Sequence, residues 1–106
     1  MSYRFMRVIV FFDLPTETTS DRRAYSKFRR ALIKDGFIML QESVYSKLSL
    51  NQTQTSQIVN NVKKISPEKG LVQILPITEK QFLKMGILSQ KSNSNIIDND
   101  ERLLIL

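Results

Sequence analysis

Cysteine and histidine are both absent from this chain of 106 residues, and the two absences remove a great deal of chemistry. Without cysteine there is no disulfide, no thiolate nucleophile and no zinc–sulfur site. Without histidine, no imidazole serves as base, nucleophile or metal ligand. Any hydrolysis must therefore rest on carboxylates, lysine, tyrosine, hydroxyls or a metal-activated water. Glycine is scarce, at three residues, and there is no GxGxxG, no P-loop and no Gly-rich phosphate cradle. The aromatic pattern of an RNA-recognition motif is missing as well. No apolar run approaches the roughly 20 residues needed to cross a bilayer. Met1-Ser2-Tyr3-Arg4 leads straight into a strand pattern, without the apolar segment of a signal peptide. The expectation is a cytoplasmic protein with no membrane partner.

What the chain has in quantity is positive charge. Sixteen Lys and Arg stand against ten Asp and Glu, a net charge of +6. That balance favours polyanionic partners, either nucleic acid or an acidic surface. The length is that of one domain. A domain this small buries only about 60–70% of its unfolded surface, so pairing with a second copy would add stability.

Residues 5–13 read as a strand that is apolar on both faces, the pattern of a central strand covered on both sides. Leu14-Pro15-Thr16-Glu17-Thr18-Thr19 is a turn and helix lead-in, with Thr19, Ser20 or Asp21 as the N-cap. Residues 20–35 form a helix with Ala24, Tyr25, Phe28, Ala31 and Leu32 on its apolar face. Arg23, Lys27, Arg30 and Lys34 line a second stripe, and Arg22 and Arg29 lie on a third side. Gly36 follows as a left-handed C-cap. Residues 37–41 and 43–50 are either one bent strand or a hairpin with a bulge. Asn51 caps a second helix to about Ile65, with Ile58, Val62 and Ile65 on its buried side. Pro67-Glu68-Lys69-Gly70 is a turn into a fourth strand, 71–77, in which Pro76 marks an edge or a terminus. Thr78 or Glu79 opens a short helix. Residues 89–101 are polar and read as a linker. Arg102-Leu103-Leu104-Ile105-Leu106 reads as a strand pairing with a sheet edge of the same chain or of a partner. The order βαββαβ plus a terminal strand is α+β and ferredoxin-like. It divides into a domain over residues 1–88 and a linker with terminal strand over 89–106.

Two constellations carry chemistry. Asp13 closes an apolar strand, and a charge there is costly unless something binds it. It is either a metal-ligating carboxylate at a strand end or a turn-initiating Asp ahead of Leu14-Pro15. A single carboxylate does not make a magnesium site, but a twofold axis would bring a second Asp13 to it. The helix that follows has six Lys or Arg against two acidic residues between Ser20 and Asp35. It is either a phosphate-contacting surface without base specificity or a solvated outer face. Glu42 is a candidate second carboxylate. Gln41-Glu42-Ser43-Val44-Tyr45 either positions a phosphate or dimer contact or is plain strand alternation. Asp98, Asp100 and Glu101 lack calcium-loop spacing and read as solvated linker.

Together, Phe12-Asp13 at a strand end, Arg29-Arg30 before Leu32, Gly36-Phe37 and Gln41-Glu42-Ser43-Val44-Tyr45 resemble the second universal CRISPR-associated protein family. Thr78-Glu79-Lys80-Gln81-Phe82 and Glu101-Arg102-Leu103 are similar to members from type II systems. The family more often has Tyr where this chain has Phe12. The resemblance implies a homodimeric ferredoxin-like protein whose terminal strand, here Leu103, Leu104, Ile105 and Leu106, crosses to a partner. It implies that Asp13 binds magnesium at the dimer axis and takes part in phosphodiester cleavage of RNA or DNA. It also implies a role in spacer acquisition, with the dimer holding double-stranded DNA between integrase dimers. Arg22, Arg23, Lys27, Arg29 and Arg30 are the phosphate-contacting candidates by position and charge. The alternative is a regulatory ferredoxin-like domain that binds a small ligand.

Overall fold

The computed structural model describes residues 5–88. Its elements are β1 (Met6–Asp13), α1 (Thr19–Lys34), β2 (Ile38–Gln41), β3 (Val44–Ser49), α2 (Gln52–Ile65), β4 (Leu71–Thr78) and α3 (Glu79–Leu83). The four strands form one sheet in the order β2-β3-β1-β4, and all neighbours are antiparallel. This is the ferredoxin-like arrangement expected from the βαββαβ order. The terminal strand over Leu103–Leu106 lies outside the described residues.

Strand periodicity decides what β1 buries. Val8, Val10 and Phe12 point to one face and join Phe28 and Leu32 of α1, Tyr45 of β3, and Ile58 and Val62 of α2 in a single core. Phe12 is the aromatic centre of that core. Its ring meets Phe28 edge-on at 5.0 Å and lies nearly parallel to Tyr45 at 5.6 Å.

Helix α1 begins one residue earlier than its apolar pattern implies, because the cap is Thr18 rather than Thr19, Ser20 or Asp21. The Thr18 hydroxyl accepts from the Asp21 backbone N–H at 3.0 Å, and the Asp21 carboxylate accepts from the Thr18 N–H at 3.3 Å. This reciprocal box satisfies two N–H groups that the first turn otherwise leaves unpaired. Gly36, at φ +97°, lets the chain leave the helix. Beside it, the Lys47 ammonium donates to the Asp35 carbonyl at 2.5 Å and neutralises the helix's negative end.

The hairpin reading of β2 and β3 holds, with a register shift between Met39 and Gln41 and Ser43 at φ +67°. Strand β4 is an edge strand among the described residues, which is why Pro76 fits within it.

One expectation needs correction. Helices α1 and α2 cover one face of β1, and on the other α3 reaches only the Arg7 end, through Glu79 and Phe82, so among the described residues no second helical layer spans that face. The register places three rows across the other, open face. They are Gln41–Val44–Phe11–Gln73, then Ile38–Ser46–Ile9–Leu75, then Leu48–Arg7–Ile77, with Asp13 beside Leu71 at the end. Ile38, Leu48, Leu71 and Leu75 are exposed there, while Ile9 and Ser46 at its centre are buried. The apolar outer side of β1 therefore reflects this face and not a second helical layer.

Candidate functional site

Asp13 is the last residue of β1, and alternation puts it on the open face with Phe11, Ile9 and Arg7. The chain cannot extend the ladder past it, since Leu14 turns into the core and Pro15 has no N–H to give. The neighbouring turn is fitted closely behind it. A Cβ at Gly70 would lie 2.8 Å from the Asp13 carbonyl oxygen and 2.7 Å from Leu14 Cδ2. The Phe12 N–H donates to the Ser43 carbonyl at 3.0 Å, which brings the β2–β3 turn to the same end of the sheet. Asp13 is exposed, and its carboxylate has no hydrogen-bonding or ionic partner among the described residues.

Among the described residues, no three His, Cys, Asp or Glu gather to hold a metal ion. On the open face the register places Leu71 opposite Asp13 and the Gln73 amide diagonal to it. A carboxylate oxygen suits magnesium, which takes one or two carboxylates and completes its shell with water and phosphate oxygens. Among the described residues, one chain thus supplies a single carboxylate that fits such an ion.

The five cationic candidates on α1 separate into two groups. Arg22 donates to the Thr16 and Glu17 carbonyls at 3.1 and 3.0 Å, fastening the lead-in loop. Arg29 Nε donates to the Tyr45 hydroxyl at 2.7 Å. Arg23, Lys27 and Arg30 are exposed and make no hydrogen bond or ion pair among the described residues. They line a shallow groove on the outer side of α1 together with Thr19, Arg22 and Ser26. Sequence spacing puts these three on one stripe and Arg22 and Arg29 elsewhere, although Arg22 borders the same groove. It gives no sign that the latter two are engaged, because Tyr45 is sixteen positions from Arg29.

Two further clusters were not foreseen. Asp21 is buried at the start of α1, and its carboxyl is held below its ordinary value of 3.8, chiefly by the Thr18 backbone N–H and aided by Lys69. Lys69 reaches it at 3.5 Å from the α2–β4 turn. At the other end of the sheet, Arg7 makes a two-pronged bond to Glu79, at 2.8 and 2.6 Å, with its guanidinium 4.5 Å from the centre of the Phe82 ring. This clamp holds α3 against β1.

The chain is thus a small ferredoxin-like α+β protein with a lone strand-end carboxylate, an apolar open sheet face and an outward cationic stripe. The family model described as CRISPR associated protein Cas2 matches residues 6–85. The chain belongs to the Cas2 family of CRISPR-associated proteins. A relative from Treponema denticola, named a CRISPR-associated endoribonuclease Cas2, is 54% identical over 95% of this chain and 100% of its own length. One from Streptococcus mutans with the same name is 45% identical over 95% of this chain and 93% of its own. A solved structure titled as a crystal structure of Cas2 matches at a TM-score of 0.56. It covers 88% of this chain and 98% of that one at 24% identity, which bears on the fold alone. No helix among the described residues is long and apolar enough to cross a membrane.

Proposed function

We propose that this protein acts in the cytoplasm in CRISPR spacer acquisition, as a homodimer that binds double-stranded DNA and bridges integrase dimers. The observation that carries the reading is the arrangement of Arg23, Lys27 and Arg30. Three cations without partners among the described residues face outward on one helix stripe, and they lie on the layer opposite the open apolar face. Such a stripe meets phosphates without reading bases, while the apolar face remains available for a second copy. Charge reversal at all three is expected to abolish duplex binding near physiological salt, whatever the sequence. Unchanged affinity would remove α1 from the footprint.

A second activity, metal-dependent cleavage of RNA or DNA, is favoured by the exposed and unpaired carboxylate of Asp13 and by the endoribonuclease names of the relatives. Asp13 would hold magnesium, which when bound supplies a nucleophilic water and neutralises charge on the phosphodiester. The chain's own part is to fix that carboxylate at the strand end, through the Leu14–Pro15 turn and the close approach of Gly70. The test is incubation with RNA and with duplex DNA, in magnesium or in EDTA, beside Asp13→Ala. Cleavage lost in both the mutant and EDTA supports the activity, and cleavage that survives in the mutant contradicts it. Duplex binding is expected to persist in Asp13→Ala.

A further inference from the structure

We infer that Gln73 is a second functional residue of the Asp13 site, a positioning residue whose side-chain amide binds the water shell of a divalent cation held by Asp13. This rests on the reading of Asp13 as a cation ligand.

The inference starts from the pattern of β4. Its open-face residues are Leu71, Gln73, Leu75 and Ile77, so one amide interrupts an otherwise apolar row. On an edge strand facing an apolar surface, a leucine there would bury more area on contact with a second copy. The interruption falls beside the carboxylate. Asp13 lies opposite Leu71, and Phe11 lies opposite Gln73, so Asp13 and Gln73 are diagonal neighbours on the same face. Diagonal Cβ atoms in an antiparallel pair are about 7–8 Å apart. Two side chains that both extend from such positions come within the span of a bridging water. Gln73 is exposed, and its amide has no partner among the described residues.

The other open-face amide does not compete. Gln41 sits on β2, with β3 between it and β1, so it is two strand spacings, or about 10 Å, from β1.

The chemistry explains why an amide would matter. Magnesium keeps several waters, and groups that hydrogen-bond to a metal's ligands hold those ligands in place. Removing such partners typically costs about 10–100-fold in metal affinity or activity. With one carboxylate per chain, the site depends on such a group more than a carboxylate-rich site would.

The test is manganese binding to the full-length protein, followed by the paramagnetic signal of the free ion. Wild type, Gln73→Leu, Gln73→Glu and Asp13→Ala are compared, with thermal unfolding and oligomeric state measured alongside. Gln73→Leu continues the apolar row and should fold and associate as well as wild type. It is expected to weaken manganese binding about tenfold, while Gln73→Glu retains or tightens it and Asp13→Ala abolishes it. If Asp13→Ala abolishes binding but Gln73→Leu leaves it close to wild type, the role of Gln73 is overturned and the reading of Asp13 stands. If manganese binds Asp13→Ala as it binds wild type, the reading of Asp13 fails, and the role of Gln73 with it.

Discussion

Arg29 Nε donates to the buried hydroxyl of Tyr45 at 2.7 Å, so one of the five cations of α1, though exposed, is tied to the core. The Tyr45 ring in turn lies against Phe12, next to Asp13. Arg29→Ala is expected to lower stability by about 1 kcal/mol, the usual worth of such a bond. Urea unfolding at neutral pH checks this. Tyr45→Phe should cost a similar amount, and the double variant less than the sum of the two, because both remove the same bond.

The open face supplies the second prediction. Ile38 and Leu75 are 57% and 46% exposed, in the same cross-strand row. Leu75→Lys therefore costs the single chain little but places an ammonium in the centre of a paired surface. With the proposed homodimer formed through this face, the expected outcome in light scattering is a folded monomer for the variant and a dimer for wild type. A dimer that survives Leu75→Lys and Ile38→Lys together would move the interface away from this face.

Asp21 provides a pH signature. Its folded carboxyl titrates below its ordinary value of 3.8, so the stability it contributes is fully present above that pH. That contribution is lost as pH falls further through the folded value. Asp21→Asn should therefore lower the urea midpoint at neutral pH. The gap to wild type should close in measurements carried progressively below pH 3.8.

Gly70 provides a steric one. At φ +92° it occupies a conformation that an alanine adopts only with strain, and an added Cβ would lie 2.8 Å from backbone oxygen that cannot swing aside. Gly70→Ala is expected to destabilise by more than about 1 kcal/mol, read as a lower midpoint in thermal or urea unfolding.

Much of this architecture was legible in the residues. The apolar spacing of Ala24, Tyr25, Phe28, Ala31 and Leu32 located α1, and Gly36 located its end, because helix faces and left-handed caps are local properties. Pro76 marked an edge strand for the same reason. What stayed hidden depends on tertiary register. Alternation alone could not say that the outer side of β1 has no second helical layer across it, since a covered and a partly exposed face carry the same apolar residues. Nor could charge spacing separate Arg29 from Arg30. They are adjacent, yet only Arg29 reaches a hydroxyl from β3. At Asp13 the strand end was visible, whereas Gln73 became part of the site only once the β1–β4 register was known.

The most direct measurement compares the salt dependence of duplex DNA binding for two variants. One carries Arg23→Gln, Lys27→Gln and Arg30→Gln, and the other carries Arg22→Gln and Arg29→Gln. Each phosphate that the protein no longer neutralises makes the slope of log affinity against log salt shallower by roughly 0.9. The account predicts a slope about 2.7 shallower for the triple variant, three cations at roughly 0.9 each, and a slope close to wild type for the double. Equal reductions per residue in both variants would contradict the division of α1 into free and engaged cations. An unchanged slope in the triple variant would contradict the proposal that this stripe holds DNA.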